Sequence, residues 1–456
     1  PSDRVSSSAR PCLRSFTVTN TAHTVGYPPA PLHPEWQHDL GSTDESIDLM
    51  TRWFHELGDT YRVYAPGRRS WTWVIHHPDD VKRVLVSNHR NYTKGVGLDR
   101  VKLLLGNGIM TSEGEFWRRQ RRMMQPAFHR KVIGQFAGEI RRLSGEMLDR
   151  WAAASGRGEL VNITDSMSEL TLNVVLHSIF SADLSKLVTD LHDNPFMMVT
   201  QQSKRDPRFA YQFRQLGRHV LELVRERRRT NTRHFDFMQM LMEASDPDTG
   251  ATMNEREMMD EILTLVVAGH ETTASALNWT WWLLARHPDV EARVHAEQDR
   301  VAESDLASYA DLEKLPYTMQ VIEESMRLYP PGWLLSRRTI GPDRLGGYEI
   351  PPGTDVLLSP YVIHRHPQYW ERPEAFDPGH FDPERVERRH KFAYIPFAVG
   401  PRHCIGENLS LFEMMLHING AARRFRLREV QSGPVAMEAR INLRTAQDLY
   451  MRVEKR

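Results

Sequence analysis

The chain holds 456 residues, of which 40% are hydrophobic and 26% charged, and its formal net charge is zero. That balance suits a globular chain able to bury a sizeable core, and it gives no global pull towards nucleic acid or an acidic partner. No stretch approaches the roughly 18 apolar residues of a membrane span, and two cysteines give no disulfide framework.

Residues 1–30 read as a loose tail, polar and Ser/Thr-rich to Thr24 and ending in Tyr27-Pro28-Pro29-Ala30-Pro31, which leaves 31–456 as a single domain. The tail has no apolar signal core. Cys12 lies within it, so Cys404 is the one thiol of the expected fold, and a reducing, cytoplasmic setting is the expectation. Residues 42–57 predict a helix that Ser42 or Thr43 can cap. Tyr61-Arg62-Val63-Tyr64 and Trp71-Thr72-Trp73-Val74-Ile75 predict a hairpin, and 78–86 a short helix with Pro78 in its first turn. The Gly-punctuated, apolar stretch 96–110 reads as a loop. A helix over 113–124 carries Trp117 and a run of arginines at 118, 119, 121 and 122.

From 130 to 230 apolar and charged residues recur at a spacing of 3–4, predicting helices over 130–155, 165–180, 184–203 and 207–229. Met197, Met198, Phe209 and Phe213 flank the break at Lys204-Arg205-Asp206-Pro207. Residues 254–286 then predict one long apolar helix with Ala268-Gly269-His270-Glu271-Thr272-Thr273 at its centre. A mid-helix glycine costs on the order of 1 kcal/mol against alanine, and an unpaired buried ionisable group costs more. The segment therefore reads as a place where the helix widens to admit oxygen and water. A helix over 308–328 contains Glu324 and Arg327, a pair that on an exposed helix is worth only a few tenths of a kcal/mol. The apolar run Trp333-Leu334-Leu335 leads into Ser336-Arg337-Arg338 as a strand. Hairpin pieces follow at 346–358, and 440–443 with 449–453 read as a last hairpin.

The most informative stretch is Phe397-Ala398-Val399-Gly400-Pro401-Arg402-His403-Cys404-Ile405-Gly406, followed by a helix-like run over 407–425. A thiolate at a helix start is stabilised by free amides and the positive end of the helix dipole, and glycines let backbone approach the sulfur. Phe397, Gly400, Arg402, Cys404 and Gly406 together match the Phe-x-x-Gly-x-Arg-x-Cys-x-Gly haem loop of the cytochromes P-450. The chain resembles that family over roughly residues 35–455.

The resemblance implies a mainly α fold with small β-sheets, and haem b held between the long helix and the cysteine loop. It implies Cys404 as the axial iron ligand. Trp117 and Arg121, four apart on one helix face, are similar to the family's Trp-x-x-x-Arg contact to a propionate. Arg402 belongs to the same set, and Arg337 resembles a second propionate ligand, with Arg338 the alternative. Arg118, Arg119 and Arg122 would then face solvent as a docking surface for an acidic electron donor. Glu271 and Thr272 resemble the family's acid–alcohol pair that manages protons during dioxygen activation. Glu324 and Arg327 resemble its Glu-x-x-Arg brace. The third member of that brace is normally an Arg in a Pro-x-Arg-Phe segment, and here Pro378-Gly379-His380-Phe381 puts His380 in its place. Met197 and Met198 resemble part of a lid, and Ala268, Trp333, Leu334, Leu335 and Ile441 would line the substrate pocket, with Trp333 narrowing it.

The implied activity is a monooxygenase inserting one oxygen atom from O2 into a lipophilic substrate, by hydroxylation or epoxidation. Electrons would come from a separate ferredoxin- or flavodoxin-type donor to a monomeric enzyme. A peroxide-driven peroxygenase is the alternative, against which the Glu271–Thr272 pair argues. A non-catalytic haem sensor is a further one.

Overall fold

The computed structural model describes residues 26–190, 196, 207–430 and 433–456. Thr43 caps α1 (Asp44–Leu57), its hydroxyl accepting from the Ser46 amide. β1 (Thr60–Ala65) and β2 (Ser70–Ile75) form the expected hairpin, closed where Ala65 faces Ser70. After β3 (Tyr92–Lys94) the stretch that reads as a loop holds α2 (Leu98–Leu105) instead. Its glycines are helix stops: Gly97 and Gly106 take φ of 91° and 68°, which residues with a Cβ rarely adopt, and the Leu/Lys/Val run between them is free to coil.

α3 (Gly114–Met124), β4 (Leu160–Asn162), α4 (Ile163–Phe180) and α5 (Pro207–Thr230) lead to α6 (Glu255–Arg286). α6 opens on a capping box in which Asn254 and Glu257 satisfy each other's backbone amides. Met197 and Met198 lie outside the described residues, as does the break before Pro207, while Phe213 is fully buried in the main core.

α6 runs unbroken through Ala268–Thr273, so Gly269 does not widen it. A Cβ at Gly269 would lie 2.7 Å from Cγ2 of Val175 on α4, so the glycine serves the close crossing of two buried helices.

α7 (Pro316–Leu328) carries Glu324 and Arg327, both fully buried. Arg327 forks onto Glu324 at 2.7 and 2.8 Å, and its other donors reach the carbonyls of His364, Pro373 and Ala375. His380 completes the brace, with Nδ1 3.0 Å from Glu324 Oε1 and Nε2 2.7 Å from the Glu371 carbonyl. The ring thus bridges the Glu324 carboxylate and a backbone carbonyl, one contact from each nitrogen.

β5 (Leu335–Thr339), a short hairpin of β6 (Asp343–Leu345) and β7 (Tyr348–Ile350), and β8 (Asp355–Leu358) follow. The largest sheet runs β1-β2-β8-β5-β3, with β2 and β8 parallel. α8 (Glu407–Arg424) precedes β9 (Phe425–Glu429), β10 (Met437–Ala439), β11 (Leu443–Thr445) and β12 (Tyr450–Lys455). The pairing expected for the last hairpin is not the one formed. β10 pairs with β11 around a turn at 440–442, while β12 pairs with β9 and β4. A strand of three residues is too short to show alternation, so its partner cannot be read locally.

Gly269→Ala should lower the urea midpoint, because overpacking costs about 1–3 kcal/mol against about 1 kcal/mol of gained helix propensity. Val175→Ala in the same chain should recover much of the loss. A Gly269→Ala midpoint equal to the parent's would show that the crossing tolerates a methyl group.

Candidate functional site

The cysteine loop folds back on itself through the Cys404 amide, which donates to the Phe397 carbonyl at 2.9 Å. Gly400 turns it at φ 78°, and a Cβ there would lie 2.1 Å from the Leu85 carbonyl oxygen, so only glycine fits. Burial pushes the Cys404 thiol up, opposed by the amides of Gly406 and Glu407 and by the Arg121 guanidinium. The residue is nonetheless exposed. Both hold because the sulfur is surrounded by protein yet keeps one side open. A Cβ added at Gly406 would meet only that sulfur, 3.9 Å away.

α6 passes beside α8, tied to it by a 3.0 Å contact between the Thr273 and Ser410 hydroxyls. Ala268, Gly269, Glu271 and Thr272 are half-buried in a helix that is otherwise mostly buried. The Thr272 hydroxyl donates to the Ala268 carbonyl at 2.8 Å, which leaves its oxygen as an acceptor. Glu271 Oε2 accepts from Asn442 Nδ2 at 2.9 Å. Leu334 and Leu335 are half-buried, and Ile441 is exposed on the turn between β10 and β11. Trp333 lines no open pocket, contrary to the expectation. It is fully buried with Trp53, Leu357 and Leu443, and its indole N–H donates to the Arg440 carbonyl, so it belongs to a satellite core.

A cavity of about 480 Å³ is lined by Lys94, Glu113, Trp117, Arg121, Arg337 and Arg402 among others. Arg402 stacks on Trp117 at 3.8 Å and donates to the Ser112 carbonyl and to Glu113. Arg121 donates to the His403 carbonyl at 2.9 Å, which holds α3 against the cysteine loop. Arg337 reaches only the Ser336 carbonyl, whereas Arg338 forks onto Asp355, which settles which of the two faces the cavity. Burial pulls Arg337 and Arg402 down to about 10. Burial together with the Arg402 charge pulls Lys94 down to about 7.

Among the cavity's lining residues Glu113 is the one carboxylate. Half-buried positive charge in excess of its partners calls for an anion. A sulfur donor supported by amides, together with a cavity whose cations outnumber its one carboxylate, fits an iron porphyrin with two propionates.

The other arginines of α3 do not form the open basic face expected of them. Arg119 pairs with Glu257 and Arg122 forks onto the buried Asp246; Arg118, which is exposed, pairs with Glu115. Lys94, Glu113 and Asn442 escaped the sequence reading. The spacing of Glu271, Ser275 and Asn278 on one face of α6 was the available signal for the last of them.

The chain matches the cytochrome P450 family model over residues 28–449. It belongs to that family. It is 35% identical over 429 residues to cyclooctat-9-en-7-ol 5-monooxygenase of Streptomyces melanosporofaciens, covering 87% of this chain and 91% of the relative. It is also 35% identical to cyclooctatin synthase of the same organism, covering 83% of this chain and 85% of that one. Pentalenene oxygenase of Streptomyces avermitilis is 30% identical, covering 75% and 79%. The crystal structure of the cytochrome P450DA heme domain superposes with a TM-score of 0.82 at 24% identity, over 94% of this chain and 98% of that one. The chain is thus a haem-thiolate monooxygenase with the cytochrome P450 fold, and its cofactor is haem. No helix among the described residues is long and apolar enough to cross a membrane.

A lysine held at about 7 when folded and at about 10.4 when unfolded binds fewer protons folded across that window. Its contribution to stability is therefore lost as pH falls from about 10 to about 7. In the haem-free chain, the urea midpoint should fall less steeply over that range for Lys94→Met than for the parent. Equal slopes would mean that the Lys94 charge is not confined in the cavity.

Proposed function

We propose that Cys404 ligates the haem iron and that Arg121, Arg337 and Arg402, with Trp117 as a stacking floor, receive the propionates. The excess of half-buried cations over carboxylates around the Arg337–Arg402 cavity carries this reading. Thiolate-bound haem supplies the oxidation, the sulfur pushing electron density towards O–O cleavage. The chain's own residues orient the substrate, exclude stray water and move protons. Thr272 accepts a hydrogen bond at the chamber while its own proton stays on the Ala268 carbonyl, and Glu271 resupplies protons from behind it. Glu324, Arg327 and His380 hold the segment that precedes the cysteine loop.

Ala268, Leu334, Leu335 and Ile441 offer the substrate an apolar wall. Two relatives carry the names of an alkenol and an alkene as substrates, and an unsaturated, largely hydrocarbon molecule is the class proposed here. Oxygen would enter a C–H or C=C bond. A ferredoxin- or flavodoxin-type donor would dock where exposed His129, Arg130 and Lys131 gather beside Asn408, close in sequence to Cys404. The enzyme would work as a cytoplasmic monomer. A spectral binding screen over fatty acids, steroids, polyketides and cyclic alkenes tests the substrate class. A blue Soret shift confined to fatty acids would reject the alkene assignment.

Cys404→Ser should abolish the far-shifted absorption of the reduced, carbon-monoxide-bound protein, and its survival would remove Cys404 as the ligand. Thr272→Ala should consume reductant at a near-parental rate while releasing hydrogen peroxide in place of product. Unchanged coupling would leave the alcohol without a role in proton delivery.

A further inference from the structure

Glu113 occupies the N-cap position of α3, yet its side chain accepts nothing from that helix. Both carboxylate oxygens turn to other segments. Oε1 accepts the Lys94 amide of β3 at 2.8 Å, and Oε2 accepts Nη2 of Arg402, on the cysteine loop, at 2.5 Å. One side chain thus ties the start of α3 to two other walls of the cavity it lines.

Arg402 is held by the same short segment throughout. Its Nη1 donates to the Ser112 carbonyl at 2.8 Å, and its guanidinium lies 3.8 Å from the centre of the Trp117 ring. A guanidinium carries five N–H donors, so these two bonds leave three for a propionate. Glu113 and a propionate can share Arg402 without either displacing the other.

The Glu113 charge acts across the wall. It opposes the effect of burial at Lys94, Arg337 and Arg402 alike. Elsewhere in the lining Arg118 meets Glu115, Arg122 meets Asp246 and Arg90 is exposed. With Lys94 pulled down to about 7 by burial and by Arg402, the fixed charge of the wall rests on Arg121, Arg337 and Arg402. Set against Glu113, these three leave two positive charges in excess, which matches two propionates.

We propose that Glu113 is a positioning residue that acts on the haem through Arg402. It aims the guanidinium, balances the wall against two propionates and thereby holds the reduction potential of the iron down. A negative charge fixed beside the cofactor opposes the arrival of an electron. This rests on the propionate reading above and concerns the step in which the enzyme accepts electrons.

The test is a potentiometric titration of the holoenzyme with dithionite and mediator dyes. Glu113→Gln keeps the length of the side chain and removes its charge. Its one-electron equilibrium should shift about threefold towards the ferrous form, as expected of one exposed charge. At about 59 mV per tenfold, that is a rise of about 28 mV. The difference from the parent should shrink in about 1 M salt, where exposed charges are screened. An unchanged or lower potential would overturn the proposal. So would a rise that salt leaves undiminished, since it would report solvent entering a loosened loop. Glu113→Ser, which can cap α3, is the second variant and should show the same rise. Loss of haem from both variants would mean that Glu113 builds the site, and that too overturns a tuning role. Arg337→Gln separates this proposal from the reading beneath it, because it should lower the potential and speed haem transfer to apomyoglobin. If it changes neither, the propionate reading fails; if it changes either while Glu113→Gln changes nothing, only the role of Glu113 is rejected.

Discussion

The site depends on uncompensated positive charge. Lys94, Arg121, Arg337 and Arg402 share one cavity wall with a single carboxylate, Glu113. Cations partly taken out of water with too few counterions are costly, and burial lowers the affinities of Lys94, Arg337 and Arg402 for their protons. A dianionic cofactor relieves that cost. If those residues receive the propionates as proposed, haem would serve as a structural counterion as well as the reagent. Glu113 tempers the arrangement: it engages Arg402 and the Lys94 amide, so that the loop at 106–113 closes over the cavity edge.

α6 serves several neighbours at once because its faces are chemically distinct. Gly269 and Glu271 are two positions apart and so point to nearly opposite sides of the helix. Gly269 admits Val175 of α4. Thr273 meets Ser410 on α8. Glu271, Ser275 and Asn278 meet the C-terminal hairpin, and Ala268 and Thr272 are left half-exposed. A single buried helix thereby fixes the distance between the cysteine loop and the acid, which no loop-borne residue could hold as tightly.

What could be read from the chain alone was local. The cysteine loop carries its meaning in ten consecutive residues, and caps such as Thr43 and Asn254 sit beside the helices they start. Arg337 and Arg338 could not be told apart, because alternation along β5 assigns them to opposite faces and the sequence does not say which face is the cavity. Gly269 looked like a breach because a mid-helix glycine has two physical uses, and only the position of Val175 decides between them. The glycines flanking α2 were read as loop interior when they are its stops. Asn442 and Glu113 had no local signature, since their partners are far away in the chain.

His380 shows how a departure from the family pattern is absorbed. An arginine would bring five donors to the brace, and a histidine brings two at most. The shortfall at Glu324 is met by the Asp377 amide, which donates to Oε1 at 2.8 Å beside the imidazole. The space an arginine would occupy is bounded by Trp370, edge-on to the His380 ring, and by Arg389, which stacks on Trp370 at 3.8 Å and donates to the His380 carbonyl. The guanidinium removed from the centre of the brace thus has a counterpart at its rim. Arg327 keeps its fork on Glu324 and its three carbonyls, so the element next to the cysteine loop remains fully bonded with a smaller ring at its centre. The brace depends on every acceptor finding a donor rather than on the identity of the third residue, and that is why the substitution leaves the fold intact.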